Sequence, residues 1–260
     1  AEIPGATSGL EVANLTRVGE SIGSLYVVNT NGVNPANGRR IFLKRDTDNP
    51  NNFVEVQYDH SAPAASRWTL VSDGSVTGGV SVANSGVLYG PTLPTYFGGL
   101  SNNIRYKSLD VNFMFQYSGG NYLYNGTKAG LRDMRVWNNH TDVLDRWTPT
   151  NTSGTIPRVV WTDNVSNGSA FPISENVEKG DFVRLRDVNV GYKLPASLVN
   201  KAGVANVRVY GQILNALLFT KYQGADPEIS SNGDTNIAPG VDRNSVGQGR
   251  SMTFGLQIGF

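Results

Sequence analysis

The chain has no cysteine and only two histidines in 260 residues. Without thiols, disulfide frameworks, thiolate zinc sites and cysteine nucleophiles are excluded together. His60 and His140 stand far apart with no flanking ligand pattern, which marks them as ordinary loop residues and leaves no evident metal or cofactor site. No apolar run reaches the roughly 18 residues of a transmembrane helix, but a transmembrane barrel crosses with strands of about 9–11 residues and escapes that test. Charge of one sign is also missing. Lys plus Arg number 22 against 21 Asp plus Glu, and without a basic block there is no footprint for nucleic acid. The amino terminus lacks the basic flank and apolar stretch of a signal peptide. It reads as a processed or cut start, with residues 4–9 resembling a nicked loop tip.

What the chain does have is glycine, 30 residues of it, a modest apolar fraction of 39%, and alternation. Met252, Phe254, Leu256, Ile258 and Phe260 share one parity, and Thr253, Gly255, Gln257 and Gly259 the other. A strand there has one apolar and one small, polar face. In a soluble sheet the apolar face packs on a core, whereas in an outer-membrane barrel it meets lipid. Leu109, Val111, Phe113, Phe115 and Tyr117, opposed by Asp110, Asn112, Met114, Gln116 and Ser118, repeat the design. They follow Leu100, Asn102, Ile104 and Tyr106 across the two-residue turn Lys107-Ser108, a tight hairpin.

Other strands are expected at residues 8–18, 21–33 with 39–45 as hairpin partner, 54–58, 67–71 with 79–89 around Asp73-Gly74, 181–193 and 206–219. In 181–193, Arg184 and Arg186 share parity with Val188 and Val190. Either a bulge shifts the register near Asp187 or the arginines sit beyond an apolar band. Residues 195–202 can supply one helical turn. The total is about ten strands, an all-β antiparallel pattern with long loops after Tyr58, Ser118 and Thr220 and short connections at the other end. That asymmetry is the one outer-membrane barrels show between external loops and periplasmic turns. Asp46, Asp48, Asn49 and Asn51 resemble a calcium-loop fragment, but Pro50 replaces the needed glycine and a solvated turn is the plainer reading. The connection 119–180 carries Trp137, Trp147 and Trp161 and is too aromatic for disorder.

Several blocks in order carry a family resemblance: Val18-Gly19-Glu20-Ser21-Ile22-Gly23-Ser24-Leu25-Tyr26, Gly90-Pro91-Thr92-Leu93-Pro94-Thr95-Tyr96-Phe97-Gly98-Gly99-Leu100-Ser101-Asn102, and Tyr106-Lys107-Ser108-Leu109-Asp110-Val111. Arg146-Trp147-Thr148-Pro149, Gly180-Asp181-Phe182-Val183-Arg184-Leu185-Arg186 leading to Gly191-Tyr192-Lys193-Leu194-Pro195, Val207-Arg208-Val209-Tyr210, Thr220-Lys221-Tyr222-Gln223-Gly224-Ala225-Asp226-Pro227-Glu228 and the terminal strand complete the set. In this collinearity the chain resembles the C-terminal part of the SusC/RagA family of TonB-dependent outer-membrane transporters of Bacteroidota. The resemblance implies that residues 1–260 are the C-terminal portion of a barrel of about 22 strands, with the plug and N-terminal strands lying outside this chain. It implies nutrient import of glycans or oligopeptides with a SusD-like surface lipoprotein, TonB coupling through the plug, an outer-membrane location, and no enzymatic step or cofactor. The terminal aromatic Phe260 is then a signal to the assembly machinery, and the last strand needs a partner strand from the remainder of the barrel.

Arg146, Trp147, Arg158 and Trp161, in the long loop assigned outside, are the candidates for substrate or lipoprotein contact. The competing reading is that the same tryptophans pack the loop against itself or form part of the aromatic girdle. Asn112, Gln116 and Gln257 are candidates for lining the lumen. The alternative to a transporter is a secreted or surface carbohydrate-binding β-sandwich, and a glycoside hydrolase using Asp226 and Glu228 ranks below both.

Overall fold

The computed structural model describes residues 2–4, 13–231 and 238–260. The nicked-loop reading of residues 4–9 and the start of the strand expected at 8–18 therefore lie largely outside the described residues. Two compact units emerge: Ala1–Leu93, Asn121–Glu178 and Glu228–Ser245 form one, and Pro94–Gly120, Lys179–Pro227 and Val246–Phe260 the other.

The second unit is one antiparallel sheet of five strands: β1 (Tyr96–Tyr106), β2 (Leu109–Gly119), β3 (Phe182–Lys193), β4 (Asn206–Thr220) and β5 (Ser251–Gly259). Each pairs with its neighbour in chain order, a plain meander. Lengths of 9 to 15 residues match or exceed a tilted membrane crossing. The turn Lys107-Ser108 joins β1 to β2, with Lys107 at φ 54, a left-handed position that two-residue hairpins require. At that same end a short helix, Ala196–Val199, sits in the β3–β4 connection, as the sequence pattern predicts. The long connections 120–181 and 221–250 both leave from the opposite end.

The ambiguity over Arg184 and Arg186 resolves as a bulge. Met114 pairs with Asp187 but Phe115 with Leu185, which leaves Arg186 as the extra residue on β3. The matching break on β4 falls between Leu214 and Leu217, where Asn215 takes φ 51. This slip puts Val183 and Leu185 on the face of Val188, Val190 and Tyr192 and turns Arg184 toward the face of Gln116.

The first unit holds the conventional core. Its strands make two four-stranded sheets and one of three. Val28, Phe42, Val56, Tyr58, Val80 and Ile173 form one buried cluster, and Ala13, Leu25, Val27, Tyr124 and Val241 another. Each Val, Leu, Ile or Phe among them contributes about 1.5–3 kcal/mol by leaving water. Three expectations change here. Barrel-length strands number five among the described residues, because the strands expected before Tyr96 fold into these small sheets. Phe53–Tyr58 is one of them: its alternation buries Val56 and Tyr58 in the core, so the loop after Tyr58 does not leave the barrel-type sheet. Residues 67–71 and 79–89 do not pair with each other either. Trp68–Leu70 joins Phe53–Tyr58 and bridges only to Val76, while Gly86–Gly90 pairs with Ser24–Val28. Thr30–Val33 does pair with Arg40–Arg45, as the hairpin expectation has it.

The Asp46–Asn52 stretch closes as a turn on its own side chains, Asp46 Oδ1 accepting from Asp48 N–H at 3.0 Å and Asn49 Oδ1 from Asn51 N–H at 3.2 Å.

Candidate functional site

The bulge makes the five-stranded sheet two-faced throughout. One face carries Tyr106, Ile104 and Leu100 on β1, Leu109, Val111, Phe113, Phe115 and Tyr117 on β2, and their partners across β3 and β4. On β5 it carries Met252, Phe254, Leu256 and Ile258, opposite Ile213, Gly211, Val209 and Val207. These side chains are mostly exposed, Phe254 at 85%, and Phe260 beyond the strand is exposed as well. An apolar surface of this continuity far exceeds what a water-soluble monomer displays and has the alternation of a lipid-facing barrel wall.

The other face is a polar network built on Arg208. Its Nε donates to Asp110 Oδ1 at 3.0 Å, Nη2 to Asp110 Oδ2 and to Asn189 Oδ1 at 3.1 Å, and Nη1 to Gln257 Oε1 at 3.3 Å. One guanidinium thereby ties β2, β3, β4 and β5 together. Gly191 makes room for it, since a Cβ there would lie 2.1 Å from Arg208 Nη2. Further along, Gln212 donates to Asp187 at 2.8 Å. Arg186, the bulged residue, donates to Gln116 Oε1 at 2.9 Å, to Asn215 Oδ1 at 3.1 Å and to Gln248. Sequence reading selected Asn112, Gln116 and Gln257 on this face but missed Arg208, Asp110 and Arg186. Their alternation was visible, yet only the register shows that they meet.

Asp226 is committed elsewhere. Its carboxylate accepts from Arg184 Nη2 at 2.6 Å in a buried ion pair and from Gln248 N–H at 3.1 Å. A carboxylate so held is a structural anchor for the 221–250 connection, not a poised general base.

In the first unit the loop candidates separate. Trp147 lies flat on the 34–38 turn: its Nε1 donates to Pro35 O at 2.9 Å, and a Cβ on Gly38 would meet its ring at 2.5 Å. Arg158 Nη2 donates to Asp59 Oδ1 at 2.8 Å, and Arg39 binds the same carboxylate. Burial pushes the Asp59 carboxyl up, but Ser61, Arg39 and Arg158 together outweigh it and hold the group below its ordinary value. Arg146 turns back to Val143 O at 3.3 Å. Trp161 differs, standing 70% exposed, with Trp137 at 60% on a neighbouring segment. Met134 ties the two segments, its carbonyl accepting from Thr162 N–H at 3.3 Å and its sulfur from Val160 N–H at 3.3 Å. Val136 and Val159, on the same two segments, are exposed as well.

The first unit also holds an ionic chain in which two buried arginines meet two partly exposed carboxylates. Arg40 is fully buried, donating to Ser166 O at 3.1 Å and facing Glu175 at 3.7 Å, while Arg132 faces Glu175 at 3.6 Å and binds Asp142. Burial lowers the Arg40 pKa to about 10, with Glu175 raising and Arg132 lowering it. Among the described residues no group of three or more acidic, His or Cys side chains is placed to hold a metal.

No protein-family model matches the chain. Known proteins do. The chain is 32% identical over 250 residues, 95% of its length, to TonB-dependent receptor P3 of Formosa agariphila, and 25% identical over 174 residues to TonB-dependent receptor SusC of Bacteroides thetaiotaomicron. The RagAB peptide importer in its open-open state superposes on 100% of the chain with a TM-score of 0.70 at 20% identity. The chain belongs to the SusC/RagA-like TonB-dependent receptors. It spans 23% of the length of receptor P3, 15% of SusC and 24% of the RagAB chain. For a SusC/RagA-like chain, the exposed apolar face and polar reverse face of β1–β5 are the two walls of a barrel segment.

Proposed function

We propose that the whole protein carrying this chain is an outer-membrane nutrient importer, and that residues 1–260 supply the C-terminal portion of its barrel together with large loops on the external side. The observation that carries the reading is the five-strand meander with one face apolar but for Asn102 on β1 and the Arg208 network on the other. In this reading Asn112, Gln116 and Gln257 look into the lumen, and Met252, Phe254, Leu256 and Ile258 face lipid. The free edges of β1 and β5 pair with strands from the remainder of the same barrel, since an exposed edge of this length invites pairing. The plug, in the part of the protein outside this chain, provides the TonB contact. The cargo is a glycan or an oligopeptide, delivered by a SusD-like lipoprotein that closes over the loops. The chain itself performs no bond chemistry.

For lipoprotein or cargo contact the exposed Trp161 with Trp137 is better suited than Trp147 or Arg158, whose polar atoms and ring faces are already engaged. A carbohydrate-binding sandwich would bury the face that Phe254 leaves open, which counts against that alternative. The test is cell fractionation of the full-length protein followed by growth of a deletion strain on single glycans or oligopeptides. Recovery in the outer-membrane fraction as a heat-modifiable band, with growth restored by the wild-type gene, is the expected result. A soluble, detergent-independent protein refutes the reading. Replacing Trp137 and Trp161 by alanine should weaken co-purification of a lipoprotein partner while leaving the heat-modifiable band intact.

A further inference from the structure

At the end of the sheet from which the long connections leave, the apolar face changes character. Tyr117, Val183 and Phe219 lie side by side across β2, β3 and β4 on the outward face, and Tyr96 joins them on the parity of Gly98. They border an open groove of about 530 Å³ that is also lined by Lys179, Lys221 and Asp181. Tyr117 lies down across β1 instead of standing off the sheet: a Cβ on its cross-strand partner Gly98 would sit 2.5 Å from its hydroxyl.

The two lysines are uncommitted. Both side chains are exposed, and among the described residues neither ammonium has an ion-pair or hydrogen-bond partner. Asp181 does not serve them, because its Oδ1 accepts from Gly120 N–H at 2.6 Å and its carbonyl from Thr220 Oγ1 at 2.8 Å. An aqueous anion site has no use for a floor of Tyr117, Val183 and Phe219, and a bare lipid-facing rim has no use for paired cations beside it. The two together match an amphiphile with an anionic head.

We propose that this groove seats one phosphorylated, anionic lipid of the external leaflet, its headgroup between Lys179 and Lys221 and an acyl chain along Tyr117, Val183 and Phe219. The site goes beyond the importer reading and rests on it only for which leaflet is involved. A structural lipid there would pin the ends of β2, β3 and β4 at the point where the 120–181 and 221–250 connections depart.

The test uses the full-length protein, purified in detergent and titrated by native mass spectrometry with phosphatidylglycerol, with phosphatidylcholine and with inorganic phosphate in separate arms. Wild type should hold one phosphatidylglycerol preferentially over phosphatidylcholine. The variant Lys179→Ala/Lys221→Ala should bind it roughly 30-fold more weakly, at about fivefold per ammonium removed, and Lys179→Arg/Lys221→Arg should retain it. Equal binding by the alanine variant overturns the proposal, as does displacement of the lipid by inorganic phosphate at matched concentration, which would mark a headgroup-only anion site. The heat-modifiable band separates the two readings: a protein that inserts normally but binds lipid indifferently to Lys179 and Lys221 sinks this proposal alone, and one that never inserts sinks the importer reading.

Discussion

Replacing Phe254 by arginine asks directly which solvent wets the outward face. Phe254 lies near the middle of β5, opposite Gly211, and is 85% exposed. In water such a position tolerates a charge, and the substitution would move stability by no more than about 0.5 kcal/mol. In a bilayer the same arginine near the midplane costs about 2–4 kcal/mol. Loss of the phenyl ring's lipid contact adds about 1.5–3 kcal/mol, giving roughly 4–7 kcal/mol in all. Tyr106→Arg, on the same face but at the turn end of β1, supplies the depth control and should cost about 0–1 kcal/mol from the charge. Denaturant unfolding of the full-length protein in lipid vesicles reads both. A Phe254→Arg variant indistinguishable from wild type, or one no worse than Tyr106→Arg, would refute the lipid assignment.

Three further outcomes follow from particular contacts. Arg208→Ala strands the Asp110 carboxylate on the polar face and should destabilise the barrel by about 2 kcal/mol; Gly191→Ala, whose Cβ would displace that guanidinium, should lose about half as much in the same unfolding assay. Gly38→Ala combines φ 73 with a Cβ 2.5 Å from the Trp147 ring and should cost about 2–4 kcal/mol, seen as a shift in tryptophan emission at lower denaturant. Because the Asp59 carboxyl is held below its ordinary value, its contribution is present above the unfolded pKa near 4 and fades as pH falls through the folded value. Asp59→Asn should therefore lower the thermal midpoint at pH 7 and flatten its decline below about pH 4, and an unchanged acid limb would remove Asp59 from that role.

The terminal strand and the β1–β2 hairpin were legible because period-two alternation is a local property: five apolar residues of one parity specify a face wherever the strand ends up. The same logic misled upstream of Tyr96. Val54, Val56 and Tyr58 alternate as cleanly as Leu100, Ile104 and Tyr106, yet the first set packs against Phe42 and Ile173 and the second faces outward. Alternation records that one side is apolar, not whether protein or lipid covers it. The tryptophans show the same limit, since Trp147 and Trp161 sit in one loop with similar surroundings in sequence, and only the approach of Gly38 tells the docked ring from the open one.

The sequence by itself determined the class: an all-β chain with no thiol chemistry, a two-faced C-terminal strand ending on Phe260, and a collinear set of motifs shared with SusC/RagA-like transporters. The tertiary structure alone decided the register, because a one-residue slip flips every side chain to the other face and no local pattern fixes where the slip occurs. Arg186 is that slip. By absorbing it, β3 turns Val183 and Leu185 outward and Arg184 inward, and the strand that looked imperfect in sequence becomes continuous on both faces.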